Sequence, residues 1–510
     1  MIKQDPPLAP TTANPSLHSA RFAARILFIC LFVVSICLFF TINWNIFTLP
    51  TLHTLIFATS VALLAVPCGT FLAITALISQ RKILLTAIAV TPLCFPSAAI
   101  GIAISASPLP VPSYSWALLA CVYFIYSVPI GYIFQMLFLA PNFPAIFAQA
   151  ATLAIPPARA LRLLLLPRLK LTSLSAFYLV TIWIIFDSSA NLVFTGNFQT
   201  LAKVFYSALS AAPVSIFDAI KIGLFSATCA TMISLFAPLS LSAGKIHTSK
   251  LHISQYFSDF SRKLFPIAAI SGVVLFSLLV SALRIFANSE ALQIPWEELF
   301  NTLLILLLTV PLSATTGVAF ALHRWKYPQL FRYFLIFAAL FGFTCAGQTA
   351  SALFQNPLHI GKIQILPALI GAGAWGNGIF GMILCYICLC VPVAYLIADI
   401  FILKPDPSMI SAQLLRAPRL RILLLALREN RYLTTAIAAI LSAIVVSQTA
   451  PGIFVQPADF PLLAPAITTS AEAGLTAQAF AASLASALLS LLFLIFAAFI
   501  FKFRRKGNSL

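Results

Sequence analysis

Apolar runs of about twenty residues recur along this chain, separated by short breaks that carry Pro, Gly or basic residues. A helix needs about 20 apolar residues to cross the hydrocarbon core of a bilayer. Twelve runs meet that length, at approximately 26–45, 52–79, 83–105, 115–140, 171–190, 215–242, 265–286, 299–322, 332–352, 370–402, 433–454 and 475–501. The pattern predicts an all-α integral membrane protein with about twelve transmembrane helices. No small-residue cleavage site precedes Asn43-Trp44-Asn45, so the first run reads as a span rather than a cleaved signal peptide. A polar N-terminal tail is expected over residues 1–24.

Composition narrows the class. Of 510 residues 61% are hydrophobic and 8% charged, with a mean hydropathy of +1.02. Soluble domains carry about a quarter charged residues, which excludes a water-soluble multidomain enzyme. The net charge of +18 is explained by its placement. Apart from Lys203, Lys221, Arg284 and Lys362, all 30 Lys and Arg fall in alternate loops: Lys3–Arg25, Arg81–Lys82, Arg159–Lys170, Lys245–Lys263, Arg324–Arg332, Lys404–Arg431 and Lys502–Lys506. Basic residues accumulate in loops that stay cytoplasmic, so both termini are expected in the cytoplasm, with no role for nucleic acid. The ten Cys lie inside apolar stretches, where a thiol behaves as a small hydrophobe. Cys385-x-x-Cys388 therefore reads as packing, and His247 and His252 have no partners at metal-ligand spacing.

A polar segment, 244–264, divides the chain into residues 25–243 and 265–502, followed by a tail at 503–510. Each part has one long basic segment between its fourth and fifth spans, at 141–170 and 403–432. Ala190-Asn191-Leu192-Val193-Phe194 aligns with Ala450-Pro451-Gly452-Ile453-Phe454, and Asn197-Phe198 with Asp459-Phe460. Two homologous six-helix halves are expected. Ionisable residues deep in a membrane are costly and functional by default. Asp187, Asp218 and Asp399 lie near span ends, where solvated positions are expected. By position alone, Asp187 and Asn191 in one half and Gln448 and Thr449 in the other are candidates for a passage wall.

The first long loop reads from Ala148-Gln149-Ala150 through Ala154 and Pro156-Pro157 to Arg159, Arg162 and Leu166-Pro167. Physically this is a short Ala-rich helix, a break at two prolines, and a basic amphipathic helix ended by Pro167. Such a helix suits either an interfacial anchor on lipid headgroups or a mechanical handle. Here the chain resembles the permease subunits of binding-protein-dependent ABC importers. Their loop carries Glu-Ala-Ala, three residues, Gly, and after a spacer Leu-Pro. Counted back from Leu166-Pro167, Glu-Ala-Ala falls on Ala148, Gln149 and Ala150, and the Gly on Ala154. The stretch Phe186-Asp187-Ser188 to Thr200-Leu201 is similar to the family's run after the loop. In the second loop Ser411 and Ala412 stand in the Glu-Ala-Ala region and Arg416 in the Gly position, with Arg419 and Arg421 following.

The resemblance implies a type I importer permease of the fused two-half kind, as in ferric-iron and thiamine systems, in a bacterial inner membrane. It implies two copies of a separate ATPase subunit seated on the two loops, ATP and Mg held on that partner, and a periplasmic or lipid-anchored binding protein. The sequence itself has no Gly-x-x-x-x-Gly-Lys-Ser/Thr phosphate loop, so the chain is expected to be a transport subunit without a catalytic residue, cofactor or metal of its own. A two-times-six secondary carrier of the major facilitator type shares the cytoplasmic termini and the polar central loop, and stays open as the alternative.

Overall fold

A computed structural model describes residues 15–42, 44–79, 82–105, 116–187, 189–194, 198–204, 216–236, 295–323, 330–355, 357–360, 363–371, 374–401, 418–448 and 452–507. The expected seventh span, 265–286, and the segment 244–264 lie outside them. In the first half the helices are α1 (Pro15–Phe40), α2 (Trp44–Ile78), α3 (Lys82–Val90), α4 (Ser97–Ser105), α5 (Trp116–Thr152), α6 (Leu166–Phe186), α7 (Ser189–Phe194) and α8 (Ile216–Phe236). In the second they are α9 (Trp296–His323), α10 (Leu330–Phe354), α11 (Ile379–Phe401), α12 (Arg419–Glu429), α13 (Arg431–Ser447), α14 (Gly452–Val455), α15 (Leu463–Glu472) and α16 (Thr476–Gly507). One antiparallel hairpin, Leu358–Ile360 with Ile363–Leu366, follows α10.

Among the described residues, five stretches are long and apolar enough to cross a membrane in one piece: Thr48–Ile78, Trp116–Met136, Trp296–Leu322, Trp375–Asp399 and Ala477–Ile500. A sixth is a bent pair, and four shorter apolar helices accompany them. Large side chains on these helices face outward, among them Leu63 at 66%, Leu307 at 74% and Leu492 at 63% exposure. Contiguous exposed Leu, Ile and Phe suit hydrocarbon rather than water. The protein is a membrane-embedded helical protein with multiple spans.

Several expectations change in detail. The run 83–105 is not a straight helix, because Leu84–Cys94 and Ser97–Ser105 meet at 96°. Pro96 supplies the physical reason: it has no N–H to donate and drives Phe95 out of the helical region, to φ −99°, ψ 137°. Residues 332–352 are helical but kinked at Cys345 (φ −147°, ψ 16°). The tail expected over 1–24 is helical from Pro15. At the other end α16 continues to Gly507.

The two halves share a packing scheme. Helix α2 packs on α5 and α6, and α9 packs on α11 and α13. Each half also leans on the other: α8 lies along α10, while α16 meets the turn Thr91–Cys94 and α4. Small residues let α16 approach α13, with buried Ala479, Ser483, Ser486 and Ser490 on one face. The Ser486 hydroxyl donates to the Val446 carbonyl at 3.0 Å and Ser490 to Ala443 at 3.4 Å, the close-packed polar contact favoured between helices in lipid.

Candidate functional site

The scheme is held by contacts that occur twice. Near the start of α2 the Thr54 hydroxyl donates to the Pro50 carbonyl at 2.6 Å and accepts the N–H of Leu201 at 2.8 Å. On α9 the Thr302 hydroxyl donates to Glu298 at 2.7 Å and accepts the N–H of Leu463 at 3.0 Å. One hydroxyl thus satisfies the free N–H of a distant segment while staying bonded to its own helix. Farther along α2, a Cβ on Gly69 would come within 2.6 Å of both the Tyr132 nitrogen and the Val128 carbonyl, so α2 and α5 cross backbone to backbone. Gly317 on α9 does the same against Ala394 and the nitrogen of Tyr395. The spacing Thr54…Gly69…Ala73 equals Thr302…Gly317…Ala321, and Tyr123…Tyr132 equals Tyr386…Tyr395.

Where α6 ends, the first half builds a polar knot. Asp187 terminates α6 with extended backbone (φ −68°, ψ 117°) and its N–H still bonds the Trp183 carbonyl. Its Oδ2 accepts the hydroxyls of Ser97 at 2.6 Å and Tyr123 at 2.7 Å. The backbone N–H groups of Ser189 and Ala190 also bond the carboxylate, so Asp187 caps the N-terminus of α7. Buried Asn191 donates to the Tyr123 oxygen at 2.8 Å and to the Asp187 carbonyl at 2.6 Å. The two serines exchange roles: Ala190 N–H donates to Ser97 Oγ at 3.2 Å, and Ala98 N–H to Ser189 Oγ at 3.3 Å. Each thereby caps the other's helix. Nearby, α2 and α5 border an apolar cavity of about 610 Å³ that includes Trp116, Phe124 and His53, whose ring stacks on Phe198 at 5.2 Å.

The structure thus brings Asp187 and Asn191 together, but Asp187 is not at a solvated span end; neutral donors from three elements occupy its carboxylate. Asp399 is buried and Asp187 half-buried, whereas Asp218 pairs with Lys221 at 2.9 Å. Gln448 ends α13 just as Asp187 ends α6, with φ −90°, ψ 120° and its N–H on the Ile444 carbonyl. Thr449 lies outside the described residues. Ser97, Tyr123 and the Thr54/Gly69 pair were missed by sequence reasoning. The equal spacings of the Thr–Gly–Ala and Tyr–Tyr sets were the signal that could have found the last of these.

The first basic loop is built differently from expectation. The Ala-rich segment with Ala148, Gln149 and Ala150 is no separate helix but the end of α5, which runs unbroken to Thr152. The helix closes in a Schellman turn: Ala154 has φ +50°, and the Ile155 N–H reaches back to the Ala150 carbonyl at 3.0 Å. Ile155 packs against the buried cluster that includes Phe147, Ala150 and Leu165, and Pro157 starts the next helical turn, where a missing N–H costs nothing. Pro167 does not end a helix. The chain passes through a π turn, Leu161–Leu165, directly into α6, whose wider ring accommodates a residue that cannot donate. Arg159, Arg162 and Pro167 are exposed. In the second loop Ser411, Ala412 and Arg416 lie outside the described residues; Arg419 opens α12, and Arg421 is exposed.

No protein family matches this sequence, no curated protein is similar to it, and no solved structure resembles its fold.

Proposed function

We propose that this chain is the membrane-spanning permease subunit of an ATP-driven, binding-protein-dependent importer, with two homologous halves of six spans in one polypeptide. The observation that carries the reading is Ala154. The resembling family has Gly at this step of its loop, and here the backbone turns left-handed (φ +50°), the conformation that glycine adopts without strain. The exposed Arg159 and Arg162 follow on a turn rigidly joined to α6, so a push on the loop is transmitted to a membrane helix. The doubled Thr54/Leu201 and Thr302/Leu463 contacts support the two-half layout. In this reading the seam between halves forms the passage, Asp187, Asn191 and Gln448 support its walls, and each loop seats one copy of a partner ATPase. The fused layout is similar to ferric-iron and thiamine importers, which makes a small cationic solute the preferred cargo, delivered by a separate binding protein.

The test is gentle affinity purification of the tagged chain from its native membrane, with mass spectrometry and an ATPase assay on the eluate. An ATP-binding subunit near two copies per chain, with vanadate-sensitive turnover, is the expected result. Recovery of the chain alone, without turnover, overturns the reading. Within the complex, Ala154→Val should uncouple hydrolysis from uptake, because a β-branched residue resists positive φ, whereas Ala154→Gly should keep both.

A further inference from the structure

Helices α2 and α5 start from the same face of the membrane, since α2 leads to Arg81-Lys82 and α5 to Arg159. They touch backbone to backbone at Gly69, and a Cβ on Gly131 would meet the Val66 Cα at 3.3 Å. Toward their starts they part, and the wedge between them is the cavity of about 610 Å³. His53, Phe57 and Leu64 line it from α2, and Trp116, Ala120 and Phe124 from α5. Among the described residues that line it, none is charged. Its mouth opens sideways: Ile56, Leu64 and Trp116 are exposed, continuous with the Leu and Ile surface that the long helices turn to hydrocarbon.

The dimensions indicate what fills it. His53 and Leu64 stand eleven residues apart, which is about 16 Å along a helix. Half of a hydrocarbon core about 30 Å thick is about 15 Å. The cavity therefore reaches from headgroup level, where the ring of Trp116 belongs, to the middle of the bilayer. Spread over that depth, its volume gives a mean section of roughly 40 Å², about half that of a helix ~10 Å across. That is too narrow for a span of a second copy and wide enough for a polymethylene chain. Water does not settle in an apolar space without hydrogen-bond partners, and an empty one forfeits the dispersion contacts of its lining.

We propose that the wedge is a binding site for one acyl chain of a membrane phospholipid from the leaflet at the charge-poor face. The ester end lies by His53 and Trp116 and the methyl end by Leu64 and Phe124. The chain supplies the contacts that α2 and α5 do not make with each other above Gly69, and so sets the angle at which they part. The site rests on the embedding of the helices in a bilayer and not on the import reading.

The full chain is reconstituted into phosphatidylcholine vesicles that contain a trace of phosphatidylcholine with a diazirine in one acyl chain, placed either beside the ester or near the methyl end. After irradiation, adducts are mapped by peptide mass spectrometry. Leu312, exposed on α9 as far beyond Thr302 as Leu64 is beyond Thr54, is the control of equal depth for passing lipid. With the methyl-end label, adducts at Leu64 and Phe124 should exceed those at Leu312 by about tenfold, a preference of about 1.4 kcal/mol. With the ester-end label they should move to His53 and Trp116. Ala120→Trp, which fills the wedge, should bring the adducts down to the Leu312 level and leave Leu312 unchanged. Should that variant fail to accumulate, Ser60→Phe at the exposed edge carries the comparison. Adducts no denser in the wedge than at Leu312, labels that do not separate by depth, or adducts unmoved by the variants that accumulate overturn the site. None of these readouts uses ATP or cargo, so failure of the importer reading leaves the test intact.

Discussion

Ala154 holds a backbone conformation that disfavours its own side chain, because its Cβ crowds the following carbonyl. Ala154→Gly should therefore stabilise the protein by about 1 kcal/mol, read as a raised Tm in detergent; a lowered Tm would show that the turn is held by other forces. This residue was legible in the sequence, since the loop pattern marks it as a glycine position. Asp187 was only half legible. Its isolation among apolar residues is visible in the chain, but the groups that engage it lie 90 residues away at Ser97 and 64 away at Tyr123. Hydropathy has no term for such distant partners, and a solvated span end was the natural expectation.

Among elements, the decisive contacts are the crossings of α2 with α5 and of α9 with α11. Gly69→Ala should cost about 1–3 kcal/mol through overpacking, since the added methyl meets backbone rather than a movable side chain. Thr54→Val, which removes the hydroxyl that ties α2 to the Leu201 N–H, should cost less, about 0.6 kcal/mol. Thermal unfolding of the two variants checks the order, and a larger loss at Thr54 would show that the hydroxyl and not the close approach holds the element. The long apolar helices were readable from length alone. The bend at Pro96 was not, because a proline inside an apolar run leaves hydropathy high while breaking the helix. The unbroken run of α5 through Thr152 escaped notice for the opposite reason: Ala and Gln lower the hydropathy without interrupting a helix.

At the scale of the whole molecule, each half completes the other. Helix α8 lies along α10, with Gly223 against Cys345, and α16 covers the first half's bend. At the charge-poor end the carboxyl of Glu472 is pushed above its ordinary range by desolvation, an effect the charge of Lys203 from the first half only partly offsets. Residues 1–243 expressed alone should be degraded in the membrane and rescued when residues 265–510 are made beside them, with the two recovered together in mild detergent. A first half that is stable alone would contradict this. The lean of α8 on α10 also has a consequence in time. During synthesis α8 enters the bilayer before its partner surface exists, and at cellular translation speeds the wait until α10 emerges is on the order of ten seconds. Through that interval the nascent chain carries a helix packed on α1 but open on its other face, and the membrane's insertases and proteases, rather than its own fold, decide whether it survives.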